Sequence, residues 1–144
     1  IIRPDLSTFG EKDAQQLSVI RKINKELGFG VEIVPIPTVR ASDGLALSSR
    51  NKYLDREQRS VSTVLYRALS AAKQLWDNGE RRPEKIKKKV REIIGQAPSV
   101  KLHYVSTASP DTFKELTELL DNDVLLSLAA QIGSARLLDN IKLS

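Results

Sequence analysis

The sequence contains no cysteine and no methionine, only one histidine, and no long apolar run. The absence of cysteine excludes disulfides, thiolate metal sites and thiol catalysis. No stretch reaches the roughly 18 apolar residues of a membrane span, and no basic-then-apolar leader opens the chain, so we expect a cytoplasmic protein without a membrane partner. Because no methionine is present to initiate it, we interpret the chain as a piece of a longer or processed protein.

Positive charge is concentrated in one part of the chain. The formal net charge is +5, yet residues 1–44 contribute nothing to it, because their six basic and six acidic side chains cancel. The stretch RRPEKIKKKVR at 81–91 holds seven basic residues against Glu84 alone. Such a run could bind nucleic acid, but Ile86 and Val90 recur in it at helical spacing and no aromatic side chain is interleaved to stack on bases. We favour the solvated face of an amphipathic helix and keep a nucleic-acid-binding module as the less favoured alternative.

The first 39 residues have the pattern of a strand, a helix and a second strand. Apolar residues from Leu17 to Leu27 keep near-helical spacing, and VEIVPIP has the β-branched composition of a short buried strand. The first strand is expected upstream, in IIRPDLST. A helix linked tightly to a strand is typical of a parallel sheet, which needs more strands than these residues hold. We therefore expect part of a larger α/β domain, with exposed apolar surface and an unpaired strand edge.

The remaining residues are predicted to pack helices on one face of a small antiparallel sheet. Asp55, with Gln58 as its capping-box partner, starts a helix whose apolar stripe continues without a break to Gly79. The other predicted elements are a basic helix from about 83 to 94, a strand at 100–108, a capped short helix at 109–120 and a β-hairpin around Gly133 and Ser134.

The stretch FGEKD comes at the start of the first helix. Free backbone N–H groups at such a start attract anions, while Gly10 lets a ligand approach the backbone and Lys12 adds a mobile positive charge. Phosphate is the natural ligand. The alternative is ordinary helix-start chemistry, in which Glu11 and Asp13 only favour the first turn. Gln16, four residues after Lys12, is expected on the same helix face, where it could hydrogen-bond a small polar substrate.

LALSSRN, residues 45–51, places two hydroxyls and a permanent cation on a loop. Ser48 and Ser49 can donate to phosphate oxygens, and Arg50 can bind them bidentately. Together these side chains could stabilise the charge that develops on a triphosphate as pyrophosphate leaves. The alternative is a polar turn in which Ser49 or Asn51 caps the local backbone.

The two motifs together resemble the C-terminal half of the pantothenate synthetase family, the pantoate–β-alanine ligases. FGEKDAQQL and RASDGLALSSRN carry the resemblance, and YLDREQR, NGER and ARLLDNIKL extend it over essentially the whole chain. It implies that residues 1–39 end a Rossmann-like ATP- and pantoate-binding domain, and that residues 40–144 form a C-terminal α+β lid domain with a three-stranded antiparallel sheet. It also implies an ATP-dependent ligase of coenzyme A biosynthesis, which condenses (R)-pantoate with β-alanine through a pantoyl-adenylate.

The same resemblance assigns roles to particular residues. Lys12 with the loop residues Ser48, Ser49 and Arg50 is expected to act in catalysis, and Gln16 to bind pantoate. The residues expected to contact ATP are Gly10, Glu11, Lys12, Asp13, Val39, Leu47, Ser48, Ser49 and Arg50. Mg²⁺ would accompany the ATP substrate through ligands in a preceding half of the enzyme, and no metal ligand is expected here. The resemblance also implies a homodimer.

One departure from the family pattern concerns histidine. The family has an N-terminal histidine motif, whereas the one histidine of this sequence, His103, lies in a predicted strand and is interpreted as a structural sheet residue. A second glutamine for pantoate and β-alanine is absent too. We therefore expect the 144 residues to be inactive alone. A non-catalytic dimerisation or assembly domain is the principal alternative.

Overall fold

The computed structural model describes residues 2–118 and 120–144, and the chain divides into two compact units, Ile1–Val39 and Arg40–Ser144. The N-terminal unit contains β1 (Leu6–Gly10), α1 (Ala14–Glu26) and β2 (Glu32–Ile36). The C-terminal unit contains α2 (Arg56–Val61), α3 (Val64–Asp77), α4 (Pro83–Gly95), β3 (Val100–Ala108), β4 (Val124–Ile132) and β5 (Ala135–Leu143). Within the described residues, no helix combines the length and apolarity that crossing a bilayer requires.

The N-terminal unit has the predicted order of strand, helix and strand. β1 and β2 pair in parallel, from Leu6 opposite Glu32 to Gly10 opposite Ile36. β1 begins within the expected segment IIRPDLST, at Leu6, and continues beyond it to Gly10. Residues 2–5 form no strand, and Ile1 lies outside the described residues. A parallel pair joined through α1 is therefore confirmed.

Little of the N-terminal unit is buried. Asn24 joins the end of α1 to the start of β2, since its Nδ2 donates to the Val31 carbonyl at 2.8 Å and its Oδ1 accepts from the Val31 N–H at 3.2 Å. Leu17 is the buried apolar residue of α1. The predicted apolar exposure is confirmed at Leu6, Val19, Ile23, Leu27, Phe29 and Ile36.

The C-terminal unit has its core between two helices and a sheet. The strands are ordered β3-β4-β5 with antiparallel pairing, and α3 and α4 pack on the sheet. Every second residue of the central strand contributes to this core: Val124, Leu126, Leu128, Ala130 and Ile132. Truncating a buried leucine to alanine typically costs about 2–5 kcal/mol, so this apolar layer dominates the stability of the unit. The predicted fold class is confirmed.

The long helix predicted from Asp55 to Gly79 is wrong in one respect, because it is interrupted between α2 and α3. Its start is as expected, since Asp55 and Gln58 form a capping box. At the interruption, the hydroxyls of Ser62 and Thr63 donate to the carbonyls three residues before them, at 2.7 and 2.9 Å. Such side-chain bonds compete with the helical backbone bonds and favour a break.

The capped short helix predicted at 109–120 is wrong for the residues that the structure describes, which exclude Leu119. The segment instead turns back toward β3. Phe113 adopts a left-handed φ of 57°, and Glu115 forms an isolated antiparallel bridge with Ala108. A residue with this φ ends any regular helix at its position.

The carboxylate of Glu115 explains this change. It accepts hydrogen bonds from Lys87 Nζ at 3.1 Å, from the Thr107 N–H at 3.2 Å and from the Ser106 hydroxyl. Lys87 is buried in α4 and is also paired with Glu84 at 2.7 Å. Because one carboxylate accepts from Lys87 of α4 and from Thr107 of β3, it holds the segment against both elements.

Residues 40–46 form a tight hairpin before the second motif. An antiparallel bridge joins Arg40 to Ala46, and the Gly44 N–H donates to the Ala41 carbonyl at 2.8 Å. Gly44 has a φ of +89°, and a Cβ built on it would overlap the ring of Tyr66 in α3. The hairpin therefore packs so closely on α3 that glycine is required.

We predict that Glu115→Gln weakens the acid dependence of stability. Burial raises the pKa of Glu115, but hydrogen bonds from Ser106, Thr107 and Lys87 outweigh it and hold the pKa below 4.5. A carboxyl with a lowered folded pKa stabilises fully above its unfolded pKa, and this contribution is lost as the pH falls through the folded pKa. Urea midpoints should therefore fall more for the parent chain than for the variant between about pH 5 and pH 3.

Glu92→Gln is the matched control for that measurement. Glu92 forms an exposed ion pair with Lys88 at 3.9 Å, and exposed pairs contribute little. This variant should follow the parent chain at every pH. If Glu115→Gln followed it too, the buried cluster would not be the source of the acid dependence.

We predict that Gly44→Ala destabilises the chain more than Gly79→Ala does. Gly79 has nearly the same φ, +90°, but no atom lies within 4 Å of a Cβ built there. The control should therefore lose only the cost of the left-handed backbone, about 1–2 kcal/mol. Gly44→Ala should lose roughly 1–3 kcal/mol more from overlap with Tyr66. Equal unfolding free energies in urea would contradict the packing of the hairpin on α3.

Candidate phosphate-binding site

The FGEKD motif lies where β1 ends and α1 begins. Gly10 is the last residue of β1, and Glu11–Asp13 form a 3-10 turn that leads into α1 at Ala14. Lys12 therefore precedes the α-helix, whereas Gln16 lies within it. The two residues are therefore not four apart within one α-helix, and their common face stays a prediction.

The junction leaves room for an anionic ligand. Asp13 is the N-cap of α1 but makes no side-chain capping bond, so it satisfies none of the first helical N–H groups. A Cβ on Gly10 would meet nothing within 4 Å, and its φ of −71° suits any residue. Neither packing nor backbone conformation requires this glycine. Lys12 is half-buried and Gln16 is exposed.

The second motif forms a 3-10 turn, Ser49–Tyr53, which packs against β5. Ser48 Oγ accepts from the Arg50 N–H at 3.3 Å, so Ser48 is the N-cap. Asn51 Nδ2 donates to the Ala46 carbonyl at 3.1 Å. The polar-turn alternative thus describes the backbone correctly through Ser48 and Asn51, although the Ser49 hydroxyl makes no such bond within the described C-terminal unit.

The side chains of Ser49 and Arg50 in the second motif remain available for a ligand. Ser49 and Arg50 are exposed, and no described residue of the C-terminal unit pairs with the Arg50 guanidinium. The two apolar residues predicted near ATP are exposed as well, Leu47 by 51% and Val39 by 61%. A cation and a hydroxyl on an exposed turn can bind a phosphate group without first breaking an internal ion pair.

An ion pair that the sequence analysis missed supports the hairpin before this motif. Arg40 donates to both carboxylate oxygens of Asp139, at 2.7 and 2.9 Å. It also donates to the carbonyls of Gly44 at 3.0 Å and Asn140 at 3.2 Å, and its guanidinium lies 4.2 Å from the centre of the Tyr66 ring. The two side chains are 18% and 2% exposed. The sequence of β5 could have indicated this pair, because Asp139 is the one charged residue among the apolar residues on its face of the strand.

Two further contacts hold the same hairpin. Asp43 receives a bidentate pair from Arg59, at 2.7 and 3.1 Å, and accepts from the Leu45 N–H at 3.2 Å. The hydrogen bond from Arg59 lowers the pKa of Asp43. These bonds to Asp43 fix the backbone of the hairpin.

Asn51 Oδ1, which lies after the hairpin, is buried without a partner among the described residues.

The basic run at 81–91 lies mostly on α4, as the amphipathic prediction required. Several of its cations are matched by acids, and the hydrogen bond from Arg82 lowers the pKa of Glu80 to about 2. The ion pairs are Arg82 and Lys85 with Glu80, Lys87 and Arg91 with Glu84, and Lys88 with Glu92. This pairing reduces the positive charge that the run could offer to a nucleic acid.

His103 is an exposed residue of β3, at a register shift between Leu102 and Tyr104. Arg136 Nε donates to its Nδ1 at 3.3 Å. The interpretation as a sheet residue is confirmed. In the described part of the chain, no three acidic or histidine side chains come together as a possible metal site.

Comparisons with known proteins cover both units. Residues 1–142 match the model of the family described as pantoate-beta-alanine ligase. A pantothenate synthetase from Chloroflexus aggregans is 49% identical over 140 residues, which are 97% of this chain and 50% of the relative. The pantothenate synthetase of Caldicellulosiruptor saccharolyticus is 47% identical over 141 residues, 98% of this chain and 50% of the relative. The chain thus spans about half the length of these curated relatives.

Solved structures show the same likeness. The pantothenate synthetase of Thermus thermophilus has a TM-score of 0.92 and 38% identity, over 99% of this chain and 51% of that one. The pantoate-beta-alanine ligase of Francisella tularensis, complexed with beta-gamma ATP and beta-alanine, has a TM-score of 0.63 and 28% identity, over 96% and 44%. By sequence and structure alike, the chain belongs to the pantoate–β-alanine ligase family and corresponds to the C-terminal half of its members.

Proposed function

We propose that this chain supplies the C-terminal half of a pantothenate synthetase, which uses ATP to join (R)-pantoate to β-alanine in coenzyme A biosynthesis. The observation that carries the proposal is the 47% identity over 98% of the chain to a pantothenate synthetase, with both charged motifs inside the matched range. The Francisella tularensis relative is complexed with beta-gamma ATP and beta-alanine, which supports these substrates.

Each unit has its own part in this proposal. Residues 1–39 are the last portion of a Rossmann-like domain that binds ATP and pantoate, and residues 40–144 are an α+β lid domain. The exposed apolar residues Val19, Ile23 and Leu27 of the N-terminal unit support its assignment, because parallel sheets and their helices are normally covered by further layers.

The first chemical step is adenylation of pantoate. A carboxylate oxygen of pantoate attacks the α-phosphorus of ATP, a new O–P bond forms, and the bond to pyrophosphate breaks. Because the carboxylate is already a nucleophile, no general base is needed. The reaction brings negative groups together, so catalysis consists mainly of positioning and charge neutralisation.

Two motifs supply this neutralisation. Lys12 binds the phosphates at the start of α1, while Ser48, Ser49 and Arg50 hold the departing pyrophosphate. The exposed turn and the absence of a described partner for Arg50 within its unit support this role. Catalysis here therefore depends on donors and cations placed where charge develops.

The remaining predicted residues bind the substrates. Gln16 hydrogen-bonds pantoate, and its exposure on α1 supports access to a ligand. Gly10, Glu11, Asp13, Val39 and Leu47 contact ATP. In the second step the amine of β-alanine attacks the acyl carbon of pantoyl-adenylate, AMP leaves, and the amine gives up a proton to form pantothenate.

Magnesium enters as part of the ATP substrate. Its protein ligands are expected in the N-terminal half of the enzyme, which precedes this one. The proposal also includes a cytoplasmic homodimer, the state that the family resemblance implies.

We predict that pantoate-dependent release of pyrophosphate from ATP requires a complete enzyme. The 144-residue chain should show none, because its one histidine is in β3 and it has no counterpart of the family's histidine motif. A fusion to the N-terminal half of the Caldicellulosiruptor saccharolyticus relative should be active. A folded but inactive fusion would favour a non-catalytic assembly domain. Activity of the chain alone would contradict the proposal that it carries only part of the active site.

We predict that Lys12→Ala and Arg50→Ala each lower adenylation by the active fusion, by about 10²- to 10³-fold as for other preorganised charge donors. The melting temperature should stay within a few degrees of the parent, because neither side chain belongs to the buried core. Arg56→Ala is the matched control, since Arg56 is an exposed cation of α2. Near-normal turnover by both test variants would refute the residue assignment.

A further inference from the structure

A charged residue lies on the apolar face of β5. Asp139 is 3% exposed and lies on the same face of the strand as Leu137 and Ile141, two residues before and after it. Leu137 belongs to the apolar core, and Ile141 packs against it. Removing a carboxylate from water is costly, and apolar residues in place of a buried ion pair are often neutral or stabilising. Stability alone therefore does not explain an aspartate here.

The partner of Asp139 connects three parts of the C-terminal unit. Arg40 binds both carboxylate oxygens in β5, the Gly44 carbonyl in the hairpin and the Asn140 carbonyl. Its guanidinium also stacks on Tyr66 of α3. Only the planar fork of arginine offers donors in this arrangement, so lysine cannot replace it.

The hairpin leads directly into the second motif. Ala46 forms the bridge with Arg40, and its carbonyl accepts from Asn51 Nδ2 at 3.1 Å. Ala46, near the start of the motif, is thus hydrogen-bonded to Asn51 at the end of the motif and paired with Arg40 through the bridge. Between these ends Ser49 and Arg50 are exposed, with no described partner in the unit to hold their side chains. The position of Ser49 and Arg50 therefore depends on the hairpin, residues 40–46, that precedes them.

We propose that Arg40 and Asp139 are a positioning pair that holds Ser48, Ser49 and Arg50 where they act on ATP. The pair does not touch ATP, and its role in turnover rests on the proposed ligase function. An uncharged anchor would fill the same volume, but it would lose the directed bonds to the hairpin and to β5.

The decisive variant replaces both partners by apolar residues, Arg40→Met with Asp139→Leu. It keeps the core filled, and so the fold, while removing the bonds to the Gly44 and Asn140 carbonyls. Asp139→Asn and Arg40→Lys remove the charge and the fork separately. Arg82→Lys is the matched control, because Arg82 forms a bidentate pair with Glu80, at 2.8 and 2.7 Å, in the segment before α4.

The first measurement is amide hydrogen exchange of the 144-residue chain, which does not depend on any activity. In the double apolar variant, peptides covering residues 41–53 should exchange about tenfold faster or more, while peptides covering residues 64–77 of α3 keep parental rates. The Arg82→Lys control should match the parent chain in both. The single variants should release the same segment.

The second measurement uses the active fusion. A loop displaced by about 1 Å can cost roughly 10²-fold in rate, so kcat/KM for ATP should fall by about 10- to 100-fold in the double variant. The KM for pantoate should be unchanged, since that substrate is bound by Gln16. A purely structural pair would change neither value in an equally folded protein.

Three results would overturn the proposal. These are parental exchange of residues 41–53 in the double variant, equally faster exchange of all peptides, and an unchanged kcat/KM for ATP. If Asp139→Asn does not fold, the double variant decides. If the unsubstituted fusion releases no pyrophosphate, the proposed ligase function fails, while the exchange data still decide whether the pair holds the loop.

Discussion

Burial of one face of the β3-β4-β5 sheet beneath α3 and α4 is the constraint on which the rest of the C-terminal unit depends. Strand alternation presents Val124, Leu128 and Ile132 to the apolar stripes of the helices. This packing also fixes the surface on which the 40–46 hairpin lies, because Gly44 is in contact distance of the α3 ring of Tyr66. The position of the second charged motif therefore depends on the packing of the core.

Two buried charges are exceptions to this apolar layer, and each one fixes a loop. Lys87 holds Glu115 and with it the segment after β3. Asp139 holds Arg40 and with it the hairpin before the second motif. Apolar burial supplies the stability, whereas these paired charges decide where irregular backbone lies, because hydrogen bonds have direction and apolar contacts do not. The exposed ion pairs of α4 have no comparable effect.

The proposed chemistry needs no catalytic acid–base pair. Adenylation starts from a carboxylate nucleophile and needs cations and donors near phosphate, the role proposed above for Lys12 and Arg50. Gly10 fits the same interpretation, since nothing in the described structure occupies the place of its missing side chain. The family relationship gives these local features one common explanation.

The sequence by itself determined the elements whose pattern is local, namely α1, β2, α4, β3 and the β4–β5 hairpin, and it also showed both motifs and the family resemblance. Their signals are periodicity, turns and caps, which span a few residues. It did not reveal the ion pair of Arg40 with Asp139. Nor did it reveal the ion pair of Lys87 with Glu115, in a segment that was predicted to be helical and is not. Those contacts join residues far apart in the chain. Only the tertiary structure decided them, because they depend on which surfaces meet when the helices cover the sheet.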